Sequence, residues 1–256
     1  EEWKNITFGL FAAEELTASD GTSIPADGLM ETIGIDENGN AVFKTDVPCG
    51  ASLYIKEIGV DDHYILSDKK YPVVFEYAGQ DVAKVEIAVN DGVPIENTLK
   101  RGKISGWKVD QDGFELGGAV IGLFRPDETE FTEKTALMVA ESNEIGYFEF
   151  NNVPVGNWLV REIAPPAAFV LSEERFPVEI TEDGQTIEIT IENQIIRGTV
   201  ETTKVDADYP DHKLSGAVFE VYADVDNNGA FDAEIDQLAG EMTETEPGLY
   251  QMKDLV

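Results

Sequence analysis

Residues 146–163 read GYFEFNNVPVGNWLVREI, and the second half of that stretch puts an apolar side chain at every other position. Trp158, Val160 and Ala164 share one parity with Glu162, so a single carboxylate falls on an otherwise apolar face. Period two over this length marks a half-buried β-strand. The phrase recurs at residues 40–58 as NAVFKTDVPCGASLYIKEI, which sets Glu57 over Glu162 and Tyr64 over Phe169. It begins a third time as GLYQMKDLV at 248–256.

Other phrases repeat around it. GKISGWKVD (102–110) and GTVETTKVD (198–206) place Lys108 and Lys204 96 residues apart. Asn97 in ENTLKRG and Asn193 in ENQIIRG each stand 11 residues before one of these lysines. LGGAVIGLF answers LSGAVFEVY, and ITFGLF answers AVIGLF. A repeat of this length is an array of similar modules. The expected division is 1–101, a module lacking its first strand; 102–197, a complete module; and 198–256, a module truncated at its C-terminus. The chain reads as a fragment of something longer.

Further strands are expected at YPVVFEY (71–77), KVEIAVN (84–90), FPVEI (176–180) and QTIEITIEN (185–193), separated by turn chemistry such as DENGN, TEDGQ and VNDGV. Only ESNEI (141–145) and parts of PADGLMETI (25–33) have helical promise, and both are too short to carry a domain. The fold class is all-β: tandem Greek-key β-sandwich modules, immunoglobulin-like or prealbumin-like.

The 256 residues give room for two or three domains with cores. With 51 acidic against 18 basic residues the net charge is −33, which excludes nucleic acid and anionic membrane as default partners. The single cysteine excludes an internal disulfide, and Cys49, aligned with Val155, is expected to be a small core residue. No apolar run approaches transmembrane length.

These phrases resemble the Cna B-type, or SpaA-like, repeat modules of Gram-positive surface adhesins and pilins. The resemblance is carried by Lys108 and Asp110, LGGAVIGLF, GYFEFNNVPVG, Glu162 in REIAPPAAF, and Asn193. APPAAF departs from the family's preference for a Gly before the aromatic residue, a change of turn and not of chemistry. What the resemblance implies is a spontaneous amide between the side chains of Lys108 and Asn193, promoted by a buried Glu162. Elementary chemistry agrees with those roles. A lysine is a nucleophile only when neutral, and burial among apolar groups favours the neutral amine and the neutral carboxyl alike. A neutral Glu162 would hydrogen-bond the Asn193 carbonyl and pass a proton toward departing ammonia. Glu57 and Asn97 are equivalents without a matching lysine, and Lys204 is an equivalent whose Glu and Asn lie beyond Val256, so Lys204 is expected to be a free amine. The Lys108–Asn193 amide would close a loop of about 85 residues and, by analogy with a disulfide, add roughly 4–5 kcal/mol.

The insertion DVDNNGAFDAEID (224–236) is a second candidate. Asp224, Asp226, Asn228 and Asp232 stand at positions 1, 3, 5 and 9 of an EF-hand-type loop, with Gly229 for the sharp turn. The Ala230 carbonyl and Asp236 complete the expected ligand set, because Ile235 stands where a bidentate Glu belongs. No cofactor is required by this reading, and Ca2+ is the cation the loop would take.

The function expected is a structural stalk of a cell-wall-anchored surface adhesin or pilus-like protein. Such a chain is extracellular, at the cell surface, and a monomeric rod without membrane contact of its own. The alternative is an adhesive module that binds host extracellular matrix or glycan directly, with calcium assisting. An enzyme is not expected. His63 and His212 supply no Ser/His/Asp set, no phosphate loop follows a strand, and amide formation would happen once per molecule.

Overall fold

The structure is a computed structural model that describes residues 2–17, 20–76, 79–81 and 85–256, the side chains of Glu2 and Trp3 excepted. Strands dominate it. Eight lie in the first range: β1 (Thr7–Ala12), β2 (Leu16–Thr17), β3 (Ser23–Ile24), β4 (Leu29–Gly34), β5 (Ser52–Gly59), β6 (Tyr64–Ile65), β7 (Lys70–Val74) and β8 (Thr98–Leu99). The middle range holds β9 (Arg101–Asp110), β10 (Val120–Phe124), β11 (Met138–Glu141), β12 (Tyr147–Pro154), β13 (Gly156–Ala164), β14 (Phe176–Ile180) and β15 (Thr186–Asn193). The last holds β16 (Gly198–Thr203), β17 (Glu220–Ala223), β18 (Gln237–Glu241), β19 (Thr243–Glu246) and β20 (Leu249–Leu255).

The sheets run β4-β1-β5-β7, β2-β3 and β6-β8, then β11-β10-β13-β14 and β12-β9-β15, then β16-β20-β19 and β17-β18. In the middle range the first strand, β9, therefore sits between β12 and the last strand, β15. Close approaches set their direction. Lys103 N donates to Gln185 O, and Lys108 Nζ to Ile191 O, so β9 and β15 advance together, in parallel. The chain divides into two compact units, 1–105 with 150–158 and 177–188, and 106–149 with 159–176 and 189–256. This all-β architecture, with a pair of sheets in 102–197, is that of prealbumin-like β-sandwich modules.

Alternation decides burial as the sequence predicts. Val160 and Glu162 are 0% and 1% exposed, and on β9 Ile104 and Lys108 are both fully buried. In the first range Phe8, Leu10, Leu53, Ile55, Tyr71 and Val73 form a core against which Ala41, Phe43, Val47, Val89 and Ile95 pack. Phe169 bridges Ile195, and Tyr64 pairs with Leu99, so in both ranges an aromatic residue pins the position two beyond the asparagine.

Some expectations fail, for physical reasons. Cys49 is exposed: it sits in the turn before Gly50, whose φ of 83° only glycine adopts readily, and the buried counterpart in the phrase is Val153. The expected strand 84–90 is absent among its described residues. Residues 85–88 are not in a strand, and a 3₁₀ turn over Val89–Gly92 follows with Asn90 and Asp91 at positive φ; Lys84 lies outside the described residues. The strand expected at 71–77 ends at Val74, and Tyr77 also lies outside. Neither helical candidate is a helix. Asn143 turns the chain after β11, its side chain accepting from Ile145 N and Tyr147 N, and Leu29–Gly34 is β4.

Candidate functional site

Lys108 reaches the interior because β9 is the central strand of its sheet and its even positions face inward. Its backbone is fixed on both sides: Lys108 N donates to Gly146 O at 2.7 Å, and Leu116 N donates to Lys108 O at 2.8 Å. Gly146 has φ 75°, and a Cβ there would lie 2.4 Å from Lys108 O, so no other residue lets the two chains approach this closely.

Glu162 arrives from β13 and Asn193 from the end of β15, 1% exposed each. Asn193 Nδ2 donates to Glu162 Oε2 at 2.8 Å and to Val170 O at 2.6 Å. Ser172 N donates to the same Oε2 at 2.7 Å. Lys108 Nζ donates to Ile191 O at 2.9 Å and lies 3.8 Å from Glu162 Oε1. Glu162 Oε1 and Asn193 Oδ1 are buried acceptors without a hydrogen-bond partner. An unsatisfied buried acceptor costs about 1–3 kcal/mol. Both orphan acceptors belong to the cluster that holds the Lys108 amine. Burial pushes the Lys108 amine down to about 8, against the opposing pull of the Glu162 and Glu192 carboxylates. About a tenth of this lysine would then be the neutral amine at pH 7, far more than for an ordinary lysine.

The sequence candidates in the first range also meet. Asn97 Nδ2 donates to Glu57 Oε1 at 2.9 Å, Ser67 N donates to Glu57 Oε2 at 3.2 Å, and Glu57 is 1% exposed. Ser67 and Ser172 each stand ten residues after their glutamate, a repeated spacing that pattern alone did not mark as functional. In the last range Lys204 is exposed, yet its backbone is held like that of Lys108: Lys204 N donates to Gly248 O at 2.8 Å and Leu214 N to Lys204 O at 2.9 Å.

The acidic loop brings carboxylate oxygens of Asp224, Asp226 and Asp236 within 4.8 Å of one another. Backbone donors hold the loop. Asp224 accepts from Asn228 N and Gly229 N, which keep its carboxyl below the usual range, and Asp236 accepts from Val225 N and Asp232 N. Asn228 turns inward on the loop, its Nδ2 donating to Asp226 Oδ2 and its Oδ1 accepting from Ala230 N. Asp232 stands outside the carboxylate cluster, capping Glu234 N. Hard, anionic oxygens in this number suit a divalent cation of the calcium class.

Residues 102–195 match the SpaA family, the prealbumin-like fold domain. The fold over 99% of the chain is similar to that of the Bacillus anthracis TIE protein, at 19% identity and a TM-score of 0.61, the match covering 41% of that protein. A streptococcal ancillary pilin aligns over 82% of this chain and 64% of its own, at 23% identity and a TM-score of 0.35. BcpA, the major pilin subunit of Bacillus cereus, aligns over 76% and 61%, at 17% identity and a TM-score of 0.34. The chain thus spans less than two thirds of the length of each of these proteins. No curated protein sequence matches it. Among the described residues no helix is long and apolar enough to cross a membrane.

Proposed function

We propose that residues 102–197 are a self-stapling structural module of a surface adhesin or pilus-like protein, displayed outside the cell. The observation that carries this reading is the meeting of Lys108, Glu162 and Asn193 in one buried cluster. Neutral Lys108 Nζ attacks Asn193 Cγ, the Nζ–Cγ bond forms, and the Cγ–Nδ2 bond breaks. Glu162 takes the proton lost by the attacking amine and gives one to Nδ2, which leaves as ammonia; the carboxyl already touches that nitrogen. No oxidant or cofactor is needed, and the reaction ends with the protein as its own product. The ranges 1–101, 102–197 and 198–256 are read as three successive modules, a division supported by sheets that each draw their strands from one range, β9 beginning at Arg101.

Intact mass tests the staple. The purified chain is expected to weigh less than its sequence by one ammonia, and Glu162→Ala to restore the full mass. A wild-type chain at full sequence mass ends the proposal.

A second reading concerns the loop at 224–236, favoured by the convergence of Asp224, Asp226 and Asp236. Calcium would offset their mutual repulsion, with Asp236 replacing the ligand that Ile235 cannot provide. Calorimetry of the whole chain with CaCl2 is expected to show heat that Asp224→Ala combined with Asp226→Ala removes. Flat titrations up to several millimolar would reduce the loop to an acidic turn.

A further inference from the structure

We propose that Arg161 and Arg175, both set against the ring of Phe131, form a binding site for a single carboxylate carried by an otherwise uncharged ligand. The site lies on the face of β13 opposite the amide cluster, and its test is independent of the staple.

Arg161 stands between Val160 and Glu162, both buried, so it projects from the other face of the strand. Its register partner on β10 is Gly122. A Cβ at Gly122 would lie 2.4 Å from the ring of Phe124, so glycine leaves the space that ring occupies. Phe124 is fully buried, and Phe131, from the loop joining β10 to β11, meets it edge to face with ring centroids 5.1 Å apart. The loop is closed by bonds of its own. Thr129 N and Glu130 N donate to Glu128 Oε1, and Ala136 N donates to Thr132 O. Over the ring so placed sit the guanidinium carbons of Arg161 and Arg175, 4.3 and 4.9 Å from its centroid.

This arrangement gathers two cations and leaves their donors uncommitted. Stacking uses the flat face of a guanidinium, while its N–H groups lie in its own plane, clear of the ring. Neither arginine has a hydrogen-bond or ion-pair partner among the described residues, whereas Arg101 and Arg197 each donate to a backbone carbonyl. Arg161 Nε is buried without an acceptor. The lack of an acid is not for want of acids nearby. Glu130, Glu133, Glu173 and Glu174 stand within two residues of Phe131 or Arg175, all exposed and none paired with either arginine. Two like charges held together repel, and an anion between them relieves that repulsion. A planar carboxylate matches the guanidinium fork and has oxygens enough to accept from both arginines at once. The flanking acids decide what carries it. A polyanion would be repelled by four glutamates and a net charge of −33, whereas one carboxylate on a neutral body meets the two cations at short range.

The test follows the guanidinium signals of Arg161 and Arg175 by nuclear magnetic resonance in the full chain at constant ionic strength. Sodium glucuronate and N-acetylglycine present one carboxylate each, on a sugar and on a peptide C-terminus, and glucose is the uncharged control. Saturable shifts of both arginines are expected with at least one carboxylate and none with glucose; the probe that saturates tells sugar from peptide as the source. Arg161→Lys and Arg175→Lys keep the charge but remove the fork, and each should weaken binding about tenfold. Phe131→Leu keeps an apolar group over Phe124 and should weaken binding several-fold by freeing the arginines, while Phe131→Tyr should retain it. The site is overturned if neither carboxylate saturates the shifts by tens of millimolar, or if both lysine variants bind as the wild type does. A sulfated polysaccharide that binds more tightly than either probe overturns the single-carboxylate class.

Discussion

Residues 1–101 and 102–197 each bond an asparagine amide to a buried glutamate, and they differ in the strand beside that pair. In the middle range β9 joins β12 and β15 into one ladder and delivers Lys108 to Glu162. In the first range the chain over 40–48 and 93–97 follows the same phrases, yet among the described residues it forms no ladder. Sequence pattern alone is therefore insufficient to make a strand: its edge must also find a partner for its N–H and C=O groups. The acid and the asparagine, by contrast, find each other without the lysine. Pairing of the Glu with the Asn is a property of β5 and β13 and of the chain that returns past them, independent of the first strand.

The comparison can be pressed by substitution. Glu162→Ala should have the largest effect, abolishing the middle amide and lowering the stability of that range by roughly 4–5 kcal/mol, the value expected for losing a cross-link across so long a loop. Mass spectrometry and thermal unfolding of the whole chain read both, and Glu57→Ala should leave the middle mass unchanged. Next comes pH. The Lys108 amine is held down to about 8, so the neutral fraction rises with pH up to that value. Amide formation in chain refolded from denaturant should accelerate about tenfold per unit below it and level off above, since the rate follows the neutral amine. A rate that falls as pH rises would contradict attack by Lys108.

Smaller effects separate the middle and last ranges. Gly146→Ala would force a side chain against Lys108 O at a φ of 75° and should slow coupling while costing about 1–3 kcal/mol. Gly248→Ala has the same strain, at φ 74° beside Lys204 O, and should leave the middle amide intact. The smallest effect is expected at the range boundaries. Arg101 Nη1 donates to Asn152 O and Arg197 Nη1 to Asp254 O, each acceptor residue at positive φ. Arg101→Ala or Arg197→Ala should lower stability by about 0.5–1.5 kcal/mol, one exposed hydrogen bond, measurable by denaturant titration.

Much of this was legible in the residues. Alternation in 156–163 places Glu162 inside, the 96-residue repeat marks Lys108 and Asn193 as recurring residues, and the family resemblance implies their pairing before any fold is known. The backbone partners of the cluster were not legible. Ile191 O, Val170 O and Ser172 N have no side-chain signature, and only the repeated spacing from Glu to Ser hints at one of them. Cys49 defeats the pattern because alignment with Val155 compares two turn positions, while burial belongs to the residue two earlier. In the acidic loop the pattern counts Asp232 by its ordinal place, whereas backbone hydrogen bonds turn Asp236 toward Asp224 and Asp226 instead.

The parallel course of β9 and β15 has a consequence for extensibility. Lys108 and Asn193 lie toward the same ends of the two strands, and the chain enters the range at the start of β9 and leaves just past Asn193. Once the side chains are joined, a pull on the two ends runs along β9 as far as Lys108, crosses the amide, and exits. Everything from Val109 to Glu192 becomes slack that no force reaches. At about 3.3–3.6 Å per extended residue, that loop withholds on the order of 280–300 Å of contour length. A surface filament built from such units would transmit a shear load at nearly constant length, and its failure would be the rupture of a covalent bond before any lengthening of the fold.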